Sequence, residues 1–167
     1  KFLIEKQQRV VMDLIEKLKQ RKIIDNLTSK DLSNIINKGK ITFYVGFDPT
    51  ADSLHVGQLA VINLIKLLQE EGHKAIILLG GATAQVGDPG GKDKERQLLD
   101  KDTTDTNLNS MSTQIKKLLK QDKDSYIILN NSDWLSNWSY LDFLRDVGKH
   151  FSVNKMVTRE SVKRRIE

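Results

Sequence analysis

The sequence has 167 residues, a length that suits one domain with a real hydrophobic core and not two large domains. It contains 27 Lys and Arg against 22 Asp and Glu, and the resulting net charge of +5 suits an anionic partner such as a nucleotide or RNA as well as a plain lysine-rich surface. The absence of cysteine excludes disulfides, thiolate catalysis and cysteine-ligated zinc, and the apolar runs are too short to cross a bilayer, so no membrane association is expected.

Residues 1–40 are predicted to form a helical segment. Apolar residues recur at helical spacing from Phe2 to Lys19, with polar residues on the opposite face. A second, shorter helix is predicted over Asp31–Asn37, beginning near Ser29 and ending at Gly39.

Residues 41–131 are predicted to form a strand–helix–strand unit and its continuation. Residues 41–47, ITFYVGF, are rich in β-branched and aromatic side chains and predict a strand. The turn DPTADS follows, where Asp52 or Ser53 can cap a helix that ends at Gly72. KAIILLG, residues 74–80, is an uninterrupted apolar run, which is typical of a parallel strand covered on both faces. The apolar stripe of the intervening helix consists of Leu59, Ile62, Ile65 and Leu68.

A further helix and strand complete the predicted sheet. The glycine-rich loop GGATAQVGDPGGKDKER precedes a helix expected around Thr106–Lys120 and a strand over Tyr126–Asn130. Residues 132–167 are expected to be helical, with an apolar face that comprises Leu141, Leu144 and Val147. Strands that alternate with helices indicate an α/β fold, a Rossmann-like parallel sheet with helices on both faces.

Two predicted loops leave strands at the edge where open parallel sheets bind ligands. The first places His55 at a helix N-terminus, where unpaired N–H groups favour an anion and an imidazole can donate to a phosphate. Gly57 lacks a Cβ in the same turn, so a base or ribose can approach the backbone. The alternative interpretation is a capping histidine with a packing glycine.

The second loop contains Thr83, Asp88, Lys92 and Arg96. Asp88, between glycine and proline, suits an ammonium group or a ribose hydroxyl, although an Asp often stabilises its own turn. Lys92 and Arg96 near a helix start indicate a phosphate ligand, with plain surface charge as the alternative. The P-loop pattern is excluded by Val86 and Asp93, and the dinucleotide pattern G-x-G-x-x-G is absent.

Three motifs in order resemble the N-terminal part of bacterial-type tyrosyl-tRNA synthetases, including their organellar relatives. They are YVGFDPTADSLHVGQL, GGATAQVGDPGGKDKER and FLRDVGKHFSVNKMVTRESVKRRIE. The resemblance implies a class I synthetase catalytic domain that activates L-tyrosine with ATP and transfers it to tRNA(Tyr). HVGQ, residues 55–58, is similar to the class I signature His-Ile-Gly-His.

The resemblance also implies a role for each matching residue. Thr50 and His55, with Gln58, would bind the ATP phosphates during adenylate formation, and Tyr44 would hydrogen-bond the substrate phenol. The implied ATP and adenylate residues are Gly46, Asp48, Thr50, His55, Gly57 and Gln58. The implied tyrosine residues are Tyr44, Thr83 and Asp88. Lys92 and Arg96 would belong to a pyrophosphate loop. ATP would be the substrate, with Mg²⁺ as its counter-ion and no metal bound by the protein.

Several departures from the family pattern stand out. Gln58 replaces a histidine and can donate a hydrogen bond but carries no charge, and Val45 replaces a small polar residue near the ribose. The chain begins at Lys1 and lacks the family's second signature, so it is interpreted as an N-terminal fragment inactive alone, with residues 132–167 as the start of a connective segment. That segment implies a homodimer, with Phe143 and Phe151 exposed or packed within one subunit.

The residues alone leave open whether the protein is catalytic and in which compartment it acts. A synthetase-derived RNA- or nucleotide-binding module without catalysis is the alternative function, and the trio of Tyr44, His55 and Asp88 favours the ligase. The expected location is the bacterial cytoplasm, or an organellar matrix if the source is eukaryotic. His73 and His150 are interpreted as structural, His73 at a helix end that tolerates positive charge.

Overall fold

The computed structural model describes residues 13–24, 26–29, 31–86, 99–119, 122, 124–159 and 162–163. Three strands form one sheet, and they are β1 (Thr42–Phe47), β2 (Lys74–Leu79) and β3 (Tyr126–Asn130). The helices are α1 (Leu14–Gln20), α2 (Leu32–Lys38), α3 (Val56–Glu70), α4 (Lys101–Leu118), α5 (Ser132–Leu135), α6 (Tyr140–Asp146) and α7 (Val153–Val157). Short 3₁₀ turns lie at Thr83–Val86 and Gly148–His150.

The sheet is parallel and its spatial order is β1-β2-β3. Tyr44 pairs with Ile76, and Ile76 pairs in turn with Ile127. Consecutive parallel strands require crossovers, and α3 and α4 supply them. The predicted α/β class, a parallel sheet flanked by helices, is therefore confirmed.

One face of this sheet forms the main core. Ile62 and Ile65 of α3 and Met111 and Ile115 of α4 are almost fully buried against it. The strand residues that they cover are Phe47, Ala75, Ile77 and Leu79, with Phe43, Val45, Tyr126 and Ile128 partly buried around them. Right-handed crossovers between neighbouring strands in the order 1-2-3 place both helices on the same face.

The opposite face of the sheet is open in the part of the chain that the structure describes. Tyr44 is 72% exposed, and Ile127 and Leu129 are exposed as well. Along β2, residues alternate between buried on the helical side and half-buried on this side. The prediction that β2 is covered on both faces therefore holds for one face only, because both described crossover helices lie on that face.

A smaller core joins α1 and α2 to the outer side of α3. Leu14, Ile15, Leu18 and Ile36 are buried there, with Leu64, Leu67 and Leu68 packed against them. Asp13 caps α1 by accepting from Ile15 N at 3.0 Å, and it also accepts a hydrogen bond from the Ser33 hydroxyl. That hydroxyl is the main reason why the pKa of Asp13 lies below its ordinary value. The predicted first helix is present from Leu14, and its predicted residues 2–12 lie outside the described part.

Helix ends follow local capping chemistry. Gly72 has φ +89°, the left-handed conformation expected at the predicted end of α3. The helix expected around Thr106 begins earlier, at Lys101, because Asp100 accepts from Thr103 N at 2.7 Å and caps it. This bond is the largest cause of the lowered pKa of Asp100. Leu59, predicted on the apolar stripe, is 40% exposed.

The helices after β3 are short and carry no buried residue. Leu141 is 73% exposed and Leu144 is 45% exposed, so the predicted apolar face is largely uncovered. Phe143 and Phe151 are exposed as well, which favours the first of the two alternatives for these side chains. Among the described residues, no helix combines the length and the apolar character needed to span a membrane.

Candidate active site

The carboxyl end of β1 presents several of the predicted site residues. Alternation along the strand exposes Tyr44 and Gly46 on the open face, while Phe43 and Val45 turn toward the core. Asp48 and Thr50, just beyond the strand, are exposed too. The sequence-predicted residues of the first motif therefore share one accessible edge of the sheet.

Asp48 is linked to the loop after β2 by a short chain of hydrogen bonds. The Thr83 hydroxyl donates to Asp48 Oδ1 at 3.5 Å, and Asn131 Nδ2 donates to Thr83 Oγ1 at 3.1 Å. Asn131 is buried, and its Oδ1 accepts from Ala82 N at 2.8 Å. The three residues follow three different strands, so the chain of bonds joins the carboxyl ends of the whole described sheet.

Gly80 and Gly81 leave the space that this polar cluster occupies. A Cβ on Gly80 would lie 2.6 Å from Thr83 Oγ1 and would also overlap Asp48 Oδ1. A Cβ on Gly81 would overlap the side chains of Asn130 and Ser132. Both glycines are therefore required by close approach of polar side chains at the sheet edge.

His55 is the residue that caps α3. Its Nδ1 accepts a hydrogen bond from Gly57 N at 3.1 Å, and Asp52 and Ser53, the predicted caps, lie before the helix boundary and do not cap it. An imidazole nitrogen that accepts from an N–H carries no proton, so the ring hydrogen of the neutral histidine is on Nε2. The capping interpretation of His55 is thus correct, and it leaves an Nε2–H donor for a ligand.

Gly57 and Gln58 complete the first turn of α3. A Cβ on Gly57 would lie 3.0 Å from Cε1 and 3.1 Å from Nδ1 of His55, so the glycine makes room for the imidazole ring. Gln58 Oε1 accepts from His55 N at 3.0 Å, which makes a reciprocal capping box with the histidine. The Gln58 side chain therefore fixes the backbone of His55, and its amide nitrogen is the atom that can donate.

Two amide side chains of α4 hold the loop between Asp48 and His55. Asn107 Nδ2 donates to Pro49 O at 3.1 Å, and Gln114 bonds the backbone of Asp52 and Leu54. Sequence analysis missed both residues. The available signal was their spacing, since they lie seven apart on a helix whose buried residues include Met111 between them.

The remaining candidates have different outcomes. Asp88, Lys92 and Arg96 lie outside the described residues. His73 is buried and its Nδ1 accepts from Ile41 N at 3.2 Å, which fits the predicted structural role, and burial lowers the pKa of His73 below its ordinary value. His150 is exposed near α6. Among the described residues, no group of three His, Cys, Asp or Glu could hold a metal ion.

Comparison with known proteins settles the family. The family model described as "tRNA synthetases class I (W and Y)" matches residues 36–167, most of the chain and all of the sheet. The chain belongs to this family. The resemblance inferred from the motifs around His55, Asp88 and Phe143 is therefore confirmed.

The similar curated proteins and solved structures are tyrosyl-tRNA synthetases. Tyrosine–tRNA ligases of Clostridium tetani and Treponema denticola are 44% and 46% identical over 156 and 151 residues. These alignments cover 93% and 90% of the chain but only 38% and 37% of the relatives. The chain thus spans less than half the length of these curated relatives.

The solved structures agree on the fold. A C-terminally truncated mitochondrial tyrosyl-tRNA synthetase of Aspergillus nidulans superposes with a TM-score of 0.78 at 30% identity, covering 92% of this chain and 47% of the other. The tyrosyl-tRNA synthetase of Archaeoglobus fulgidus, solved with L-tyrosine, gives a TM-score of 0.53 at 21% identity, covering 86% of this chain and 43% of the other. The latter likeness shows the fold alone.

Proposed function

We propose that the protein acts as a tyrosine–tRNA ligase. It activates L-tyrosine with ATP to tyrosyl-adenylate, releases pyrophosphate and transfers tyrosine to tRNA(Tyr). The observation that carries this proposal is the arrangement at the sheet edge. Tyr44 lies exposed on β1, Asp48 and Thr83 meet just beyond the strand ends, and His55 begins the helix that follows β1, in a chain 44% identical to a tyrosine–tRNA ligase.

In the first step the tyrosine carboxylate attacks the α-phosphorus of ATP and pyrophosphate leaves. Negative charge accumulates on the phosphate oxygens, so fixed donors lower the barrier more than an acid or base would. His55 offers its Nε2–H at the N-terminus of α3, where the helix dipole also favours an anion. Thr50 supplies a hydroxyl from the adjoining loop. In the second step a ribose hydroxyl at the tRNA end attacks the tyrosyl carbonyl and AMP leaves.

Asp48, Gly46 and Gly57 line the side of the site assigned to the adenylate. Gly46 has no side chain, and a Cβ there would lie 4.0 Å from Leu78 O, an ordinary van der Waals contact, so the strand surface can accept a flat group. Gln58 holds His55 in its capping position and can donate from its amide nitrogen. A histidine held in this way would bind the α-phosphate in a fixed position relative to the tyrosine carboxylate.

Tyr44, Thr83 and Asp88 are proposed to recognise the amino acid. The exposed ring of Tyr44 can offer its hydroxyl to the substrate phenol, and Thr83 with Asp88 would lie near the ammonium group. A site that hydrogen-bonds a phenol rejects phenylalanine strongly, by ~10⁴- to 10⁵-fold in comparable cases, because its buried polar groups are otherwise left unpaired. Lys92 and Arg96 would bind the leaving pyrophosphate.

Further features of the whole protein are also proposed. Mg²⁺ would accompany ATP as its counter-ion, bound by the phosphates and not by a protein site. Homodimer formation through residues 132–167 is supported by the exposed apolar side chains of Leu141, Phe143 and Phe151. Bacterial relatives favour the bacterial cytoplasm, and the mitochondrial structural neighbours keep an organellar matrix as the alternative.

Tyrosine-dependent exchange of pyrophosphate into ATP tests the activity. The complete protein encoded by the gene and this chain are assayed side by side, with phenylalanine and tryptophan as control substrates. Exchange by the complete protein with tyrosine alone supports the ligase. If neither protein exchanges pyrophosphate with any of the three amino acids, although both are folded and still bind RNA or nucleotide, the non-catalytic binding module replaces the proposal.

A further inference from the structure

We propose that Gln114 and Asn107 of α4 are positioning residues that hold Thr50 and His55 where they can bind the ATP phosphates. This inference rests on the proposed ligase function and adds two residues to its site. Neither side chain reaches the site itself, so both act through the backbone of the loop formed by residues 49–54. The observations that carry it are three hydrogen bonds from these two side chains to that loop.

Gln114 bonds the loop in both directions. Its Oε1 accepts from Leu54 N at 3.0 Å, and its Nε2 donates to Asp52 O at 3.0 Å. The carboxamide of Gln114 thus makes the same two hydrogen bonds, one to a backbone C=O and one to the backbone N–H two residues later, that a neighbouring parallel strand would make. Because the amide group is planar, these two bonds fix the direction of the chain as it enters His55.

Asn107 holds the other end of the same loop. Its side chain is buried, and Nδ2 donates to Pro49 O at 3.1 Å. Pro49 is itself fully buried, so its carbonyl would lose a partner without the asparagine. Asn107 and Gln114 are seven residues apart, which places them two turns apart along one face of α4.

The loop depends on these contacts because it has little structure of its own. Besides the three bonds from α4, the described residues contribute one backbone bond to it, from Thr50 N to Asp48 O at 2.9 Å. Thr50 lies within the loop and His55 follows it directly. A loop displacement of about 1 Å at a catalytic site costs on the order of 10²-fold in rate. Three of the four bonds that oppose such a displacement come from α4.

The sharper test is made at Gln114, because the Asp52 carbonyl that it bonds is exposed and water can replace the lost partner. In the complete protein, Gln114→Met keeps the approximate shape and removes both bonds. We expect kcat for tyrosine-dependent pyrophosphate exchange to fall about 10- to 100-fold while KM for tyrosine stays unchanged. Asn109→Ala, an exposed position on the same helix, is the matched control and should retain the parent rate.

A second variant adds a readout that general loss of stability would not produce. Gln114→Glu keeps an acceptor for Leu54 N but sets a carboxylate against the Asp52 carbonyl. When that carboxyl is protonated, it regains a donor and again matches glutamine. The ratio of variant to parent kcat should therefore rise as pH falls from about 8 toward about 5, where a carboxyl with a usual pKa of ~4.3 begins to take up a proton.

The outcomes separate this inference from the proposed function. An active parent with Gln114→Met equal to Asn109→Ala overturns the positioning role alone. A kcat loss with a matching rise in KM for tyrosine, or a Gln114→Glu ratio that is flat with pH, also overturns it. A parent without tyrosine-dependent exchange overturns the ligase itself. The kcat of Asn107→Ala is compared with the parent value only if the thermal unfolding midpoint of the variant stays near that of the parent. The Asn107 side chain is buried, so its loss can also lower the stability of the fold.

Discussion

His55 Nδ1 accepts a hydrogen bond from the backbone N–H of Gly57 at 3.1 Å, so one imidazole both begins α3 and offers its other nitrogen to solvent. Because Nδ1 is the acceptor, Nε2 is the donor in the neutral ring. The ring needs the space that a side chain at residue 57 would fill. The cap, the tautomer and the glycine are thus parts of a single arrangement.

The capping and catalytic roles of His55 can be separated by two substitutions. His55→Ala removes the cap and the Nε2–H, and we expect loss of about 0.5–2 kcal/mol of stability together with adenylate formation slower by orders of magnitude. His55→Asn restores an N-cap side chain without a donor in the position of Nε2. Compared with His55→Ala, it should regain the lost free energy of unfolding, but adenylate formation should stay slow. Thermal unfolding and single-turnover adenylate formation measure the two effects.

Tyrosine binding provides the control for these two variants. Neither substitution touches Tyr44 or Thr83, so the affinity for tyrosine without ATP should stay close to that of the parent. Weakened tyrosine binding at an unchanged rate of adenylate formation would show that His55 does not act on the phosphates.

Gly57→Ala tests the space left for the imidazole. The new Cβ would sit 3.0 Å from Cε1 of His55, so the ring must shift by a few tenths of an ångström or turn away. Alanine is more favourable than glycine within a helix by about 1 kcal/mol, so α3 should not be weakened. We expect pyrophosphate exchange to fall at least about 10-fold with unfolding unchanged. A fully active variant would mean that the ring position is not critical.

Gly80→Ala tests the polar cluster at the sheet edge. Its Cβ would overlap Asp48 Oδ1 and lie 2.6 Å from Thr83 Oγ1, so the two side chains must separate. We expect a loss of about 1–3 kcal/mol in the free energy of unfolding, measured by denaturant titration, and weaker tyrosine binding. Gly39→Ala is the control, since a Cβ there meets nothing within 4 Å and should change neither quantity. Equal effects of the two substitutions would argue against the cluster.

His73 predicts a pH dependence of stability. Burial lowers the pKa of His73 below its ordinary 6.5, so between the folded and unfolded values the unfolded chain binds more protons. The stability from neutral His73 is complete above about pH 6.5 and is lost as pH falls below it, at up to about 1.4 kcal/mol per pH unit. Protonation would also remove the acceptor for Ile41 N.

Unfolding midpoints measured from about pH 8 to about pH 5.5 test this dependence. His73→Gln should flatten the profile, because glutamine does not titrate. His150→Gln should leave the profile of the parent unchanged, since His150 is exposed. A profile that is the same for all three proteins would place the pH dependence elsewhere.

The order and type of the elements could be predicted from the sequence because each depends on neighbours in the chain. The β-branched and aromatic residues of β1 and β3 predict these two strands. Gly72 predicts the end of α3, because a residue that adopts positive φ is needed there. The sequence pattern predicted the start of α4 near Thr106, five residues after its observed start at Lys101. Asp100 caps that helix, and its capping bond to Thr103 is also local, so the signal was present but outweighed by the later apolar residues.

The sequence by itself determined the α/β class, the family motifs and the pairing of His55 with Gly57 in one turn. Only the tertiary structure decided which face of the sheet is covered and what holds the loop before α3. Asn107 and Gln114 lie 58 and 60 residues from Pro49 and Leu54 along the chain. A hydrogen bond of that range exists only once the sheet core has packed α4 beside α3, so no local pattern could reveal it.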